Sequence, residues 1–96
     1  MSLDTLRDAL PEYAKDTKLN LGSLANETIL TEQQKWGAFL ACAHALGVAP
    51  VLAAFEAEAR SRLEPQAATA ARTAASLMAM NNVYYRSLHL MHNEEY

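Results

Sequence analysis

The 96-residue chain contains one cysteine, three glycines and three prolines, and aromatic residues make up only 7% of it. A lone cysteine, Cys42, excludes an internal disulfide and a zinc centre built on thiolates; it agrees with a reducing compartment. With so little glycine there is no Gly-rich loop to cradle a phosphate, and no Gly-x-Ser-x-Gly elbow occurs. Val, Ile and Phe are also scarce, whereas alanine supplies about a fifth of the chain, a balance that favours helices over sheets. The net charge is −3 and the eight basic residues are scattered, so no basic stripe could neutralise a run of phosphates; no nucleic-acid partner is expected. No apolar run is long enough to span a bilayer, and the opening MSLDTLRDALPEY lacks the basic-then-apolar order of an export signal. A cytoplasmic chain without membrane contact is expected.

What is present is helical periodicity. Length and composition predict one all-α domain over residues 1–96, a compact bundle of about five to six helices. Leu3 and Leu6 mark a short first helix that stops before Pro11. Pro11 opens a second, PEYAKDTKLNLGSLAN, expected to dock through Tyr13, Thr17, Leu21 and Leu24. Thr31 with Gln34 matches a capping box and starts a third helix near Glu32, which carries Trp36, Phe39, Leu40, Ala43 and Leu46 to a stop at Gly47. Pro50 begins a fourth, with Val51, Leu52, Phe55 and Ala59 turned inward and Glu56, Glu58, Arg60 and Arg62 towards water. A fifth follows Pro65 through QAATAARTAASLMAM, its alanines allowing close helix approach, and its pattern continues through NNVYYRSLHLM with a bend expected at Asn81–Asn82.

Three groups of residues invite a chemical reading. Cys42 and His44 suggest a thiol and its base, yet on a helix they point about 200° apart, and Cys42 lies towards the negative end of the helix dipole. Cys42 is therefore expected to be a small buried hydrophobe and His44 a partly exposed helix residue. His89 and His92 share a helical face and could supply half of a metal site, with Glu94 and Glu95 as further donors; a solvated helix end is the simpler expectation. Met78, Met80, Tyr84 and Tyr85 could line a ligand pocket, though such residues more often fill a core or an interface. No pair of carboxylates stands isolated in an apolar setting. The residues thus assign no catalytic, cofactor-binding or metal-ligating position within 1–96.

Three strings carry a resemblance. LRDALPEYAKDTKLNLGSL, then WGAFLACA, then MAMNNVYYR, in order and with little gap, resemble the N-terminal half of the alkyl hydroperoxidase D family, antioxidant proteins related to carboxymuconolactone decarboxylases. The resemblance implies an all-helical protein that assembles as a trimer. It further implies a Cys-x-x-Cys dithiol that reduces peroxides, or passes reducing equivalents from a lipoylated acyltransferase to a peroxiredoxin. The family carries that dithiol, with its relay glutamate and histidines, in a C-terminal half that these residues do not include. The two halves of the family resemble one another, and the reactive pattern Gly-Cys-x-His-Cys-Leu-x-Ala-His-Glu can be laid over Gly47 to Glu56. Its cysteines then fall on Val48 and Val51, its histidines on Pro50 and Phe55, and the relay glutamate on Trp36, all expected to pack rather than react. These residues are accordingly expected to be the scaffold and oligomer half of a thiol peroxidase, inactive alone. The alternative is a complete, degenerate helical module that works by association.

Overall fold

A computed structural model describes residues 3–92. Helix α1 (Leu3–Asp8) leads through a 3-10 turn (Glu12–Ala14) into α2 (Lys15–Ala25), followed by α3 (Glu32–Leu46), α4 (Ala49–Arg62) and α5 (Pro65–Met91). No strand occurs among the described residues, so the all-α expectation holds. α3 is the hub: α4 and α5 both pack along it, and α1 closes over α4.

The punctuation follows the sequence closely. Thr31 Oγ1 accepts the Gln34 backbone N–H at 3.1 Å and Gln34 Oε1 accepts the Thr31 N–H at 3.0 Å, so two donors that the first turn of α3 leaves free are satisfied. At the other end Gly47 takes φ 74°, a left-handed conformation that a side chain would strain, and returns its N–H to Ala43 at 3.0 Å. Pro50 and Pro65 occupy first turns, where a missing N–H costs nothing.

The core lies between α3 and α4. Leu40 is fully buried, and Trp36, Ala43, Phe55, Ala59 and Leu63 surround it, with Ala68 and Ala71 of α5 closing the far side. Phe39 stacks on Phe55 with ring centroids 5.1 Å apart and meets Trp36 at 5.2 Å. The Arg62 guanidinium covers the Trp36 ring at 4.2 Å while its Nε donates to Glu58 at 2.8 Å, so Arg62 is a lid on the core as well as a surface charge. Lys35 is buried, and its ammonium spends all three protons: on the Ala25 carbonyl at 2.9 Å, the Glu27 carbonyl at 3.1 Å and Glu32 at 3.1 Å. A charge that burial alone would penalise thereby caps the C-terminus of α2.

Three expectations are corrected. The second helix does not run straight from Pro11: Ala14, at φ −100° and ψ 25°, separates the 3-10 turn from α2. Tyr13 is consequently stranded in solvent at 93% exposure, and α2 docks through Leu21 and Ala25, while Thr17 and Leu24 point outwards. Nor does the fifth helix bend at Asn81–Asn82; α5 is continuous for 27 residues. Asparagine costs a helix only a few tenths of a kcal/mol relative to its neighbours, and neither proline nor glycine is present to break it. Finally, Glu56 and Glu58 do not face water. Both are half-buried, Glu58 accepting the Leu3 N–H at 3.4 Å and thereby helping to seat α1 on α4.

Replacing Leu40 with alanine should remove about 2–5 kcal/mol of stability, and Thr31→Ala about 1 kcal/mol, both read from urea unfolding followed by helical circular dichroism.

Candidate functional site

The most organised polar cluster joins three helices. Glu56 of α4 lies on the flank that faces both neighbours, His44 sits in the last turn of α3, and Arg72 lies one turn beyond Ala68 on α5. His44 Nε2 is 2.6 Å from Glu56 Oε1; Arg72 donates from Nε to Oε1 at 2.9 Å and from Nη2 to Oε2 at 2.6 Å. The guanidinium therefore grips the carboxylate by both oxygens, the strongest geometry available to such a pair. α4 and α5 do not lie close to each other along their lengths, and this clasp ties them together across α3.

The Arg72 hydrogen bonds, with help from His44 and against partial burial, hold the Glu56 carboxyl at about 2 rather than 4.5. A carboxyl so acidic stays ionised and is a poor proton acceptor at neutral pH, so the cluster is suited to fixing helices and an imidazole rather than to general base work. The same contact raises Arg72 further above its ordinary range.

Cys42 stands apart from this cluster. His44 turns to Glu56, whereas Cys42 is exposed on an apolar groove in which Leu24, Ile29 and Leu30 face Ala38, Phe39 and Cys42. The groove encloses about 590 Å³, with Glu27 and Lys35 at its polar edge. The expected separation of thiol and imidazole is what the helix gives; the expected burial of Cys42 is not, because it falls on the α3 face turned away from Leu40 and Ala43.

Of the positions matched to the reactive pattern, Trp36 and Phe55 are buried and Val51 packs on the core. Val48 and Pro50 are exposed, since both lie at the corner where α4 begins and nothing covers it among the described residues. Met78, Met80, Tyr84 and Tyr85 lie on the outer half of α5, each more than half exposed, so they fill no core in this chain. Tyr84 and Tyr85 meet edge to face at 5.3 Å. His89 and His92 are exposed at the end of α5; Glu94 and Glu95 lie outside the described residues. No group of three potential metal donors gathers among the described residues, and no helix there is long and apolar enough to cross a membrane.

The Glu56 cluster was not read from the sequence, although one signal was available: Arg72 is the only charged residue between Glu64 and Arg86, set in an alanine-rich face destined for close packing. A folded-state value below the unfolded one stabilises the protein above pH 4.5, and that contribution is lost as the pH falls through 4.5 towards 2. Arg72 is 41% exposed, and solvent screening there reduces the contribution to about 1–2 kcal/mol. Glu56→Gln should therefore destabilise the chain by about that amount at pH 7, and its deficit against the wild type should shrink on acidification, as urea unfolding across the range will show.

No protein-family model matches the chain. Individual relatives do, along all 96 residues: the alkyl hydroperoxide reductase AhpD of Hyphomonas neptunium at 59% identity, that of Maricaulis maris at 59% and that of Rhizorhabdus wittichii at 58%. The chain spans 53% of the first of these and 56% of the other two, about half the length of the curated relatives it matches. By identity sustained from its first residue to its last, the chain belongs to the AhpD family of alkyl hydroperoxide reductases, of whose members it represents about half.

Proposed function

We propose that residues 1–96 are the N-terminal, non-reactive half of an alkyl hydroperoxide reductase, a single helical unit that serves as scaffold and assembly surface for a catalytic half carried elsewhere. The observation that carries this reading is the identity of 51–59% along the whole chain with relatives about twice its length. In the whole protein a dithiol would reduce an alkyl hydroperoxide to the alcohol and water while closing to a disulfide, each step needing one thiolate and one nearby proton donor.

These residues offer neither part of that chemistry. Their one thiol has no second cysteine with which to close a disulfide, their nearest imidazole is engaged by Glu56, and Glu56 is ionised too firmly to relay a proton at neutral pH. A trimeric assembly in the cytoplasm, with a peroxiredoxin and a lipoylated acyltransferase as redox partners of the whole protein, completes the reading by resemblance to the family.

A second reading, a helical module that works by association alone, is favoured by the apolar outer half of α5, which this chain leaves uncovered.

With dihydrolipoamide and an alkyl hydroperoxide, the 96-residue chain should show no turnover above background, before or after Cys42→Ala. Turnover that disappears with Cys42 would overturn the non-reactive assignment. Alkylation of Cys42 in the native chain, diluted until it is monomeric, should nonetheless proceed within a few-fold of its rate in the unfolded chain, because the thiol is exposed.

A further inference from the structure

The two halves of α5 turn apolar sides in opposite directions. In the first half the inward side is marked by Ala68 and Ala71, which close the core beside α3. In the outer half, at about 100° per residue, Met80, Tyr84 and Met91 come about 180–220° round the helix from Ala71, and Leu77 lies about 20° beyond Tyr84. Each of these four is more than half exposed. Their arc holds, besides them, only Leu88 and Ser87. The side that continues the Ala71 face is mixed: Asn82, Arg86 and His89 lie within about 60° of it, beside Met78 and Tyr85.

A helix with apolar stripes on opposite sides belongs between two layers. This chain supplies one of them. α3 is the helix that packs substantially along α5, and it does so on the Ala71 side, so nothing among the described residues backs the outer stripe. The outer half also outruns the bundle, which raises the radius of gyration to 16.3 Å, against about 13 Å for a compact domain of this size.

Size and connectivity decide what covers the stripe. The face of residues 77–91 is about 22 Å long and about 10 Å wide, roughly a few hundred Å², whereas a stable interface between separate molecules covers about 800 Å² per partner. Two such arms laid face to face are too small to hold two copies together. A partner on the same chain meets no such threshold, because tethering presents it at an effective concentration in roughly the millimolar range. The curated relatives, 51–59% identical along all 96 residues, have nearly as much chain again. α5 is the last described element, so a continuation past residue 96 starts from the tip of this arm.

We infer that the stripe formed by Leu77, Met80, Tyr84 and Met91 is covered by the half that the relatives have beyond the length of this chain, folded back along α5 so that the helix lies between the two halves of one molecule. This rests on the reading of residues 1–96 as the first half of an alkyl hydroperoxide reductase, and names the surface at which the second half docks.

A hybrid in which residues 1–96 are continued by the remaining half of the Hyphomonas neptunium relative tests it, carrying the photoreactive substitution Tyr84→p-benzoylphenylalanine. Irradiation should give a product of single-chain mass, joined to the appended half, in a yield independent of dilution. A product of two-chain mass joined to residues 1–96 of another copy, or no product in the appended half, overturns the inference. Met80→Gln, which keeps helix propensity, should lower the melting temperature of the hybrid by about 4 °C or more and that of the 96-residue chain by less than about 2 °C. Equal shifts in the two overturn it as well. Turnover of the hybrid with dihydrolipoamide and an alkyl hydroperoxide reads the underlying assignment separately. A hybrid that turns over without the single-chain product overturns this surface and leaves that assignment standing; one that folds but shows neither overturns both. If the hybrid does not fold, the same probe at the position aligned with Tyr84 in the full-length relative decides by the same products.

Discussion

The Glu56 carboxylate is the point on which the arrangement of the three long helices depends. α3 alone touches both α4 and α5 along their lengths, so the apolar core joins those two helices mainly through it. The two-pronged Arg72 contact adds a direct tie between α5 and α4, and the 2.6 Å contact to His44 registers the end of α3 against the middle of α4. Breaking one partner of such a half-buried group is costlier than the pair's net contribution, because the remaining charge is left without its hydrogen bonds. The apolar core supplies most of the cohesion, and the clasp sets the angles.

Polar side chains perform the same office at smaller scale elsewhere. Lys35 ties the end of α2 to the start of α3, and Glu58 draws α1 onto α4 through the Leu3 N–H and Arg62. In a chain whose alanine-rich helices bury little area per residue, directional contacts decide among packings that area alone would leave nearly equal in energy. That accounts for the concentration of half-buried charges at helix junctions, where the sequence alone suggests only solvated ones.

Much of the architecture was legible in the sequence because it was written in local chemistry. The Thr31–Gln34 box, Gly47, Pro50 and Pro65 fix helix ends by rules that act over three or four residues, and these boundaries appear where expected, α4 starting at Ala49, one residue early. What failed was long-range. The docking of α2 by Leu21 and Ala25, instead of Thr17 and Leu24, depends on the core it meets, and the inward turn of Glu56 depends on an arginine sixteen residues away. Cys42, expected to be buried, is exposed for the same reason: a cysteine's burial follows from which helix face the neighbours cover. At the positions matching the family's reactive pattern, Trp36 and Phe55 pack as expected because each lies one turn from a buried residue of its own helix, Leu40 and Ala59, whereas Val48 and Pro50, at a corner, do not pack.

The unbroken course of α5 has a mechanical consequence. One end of this rigid rod is clamped by the small-residue contact at Ala68 and Ala71 and by the Arg72 clasp, and the other stands clear of the bundle. With no break at Asn81–Asn82, the outer half of α5 keeps helical register with Ala71 and Arg72, so the rotation at which the helix docks there also decides which way Tyr84 and Leu90 face.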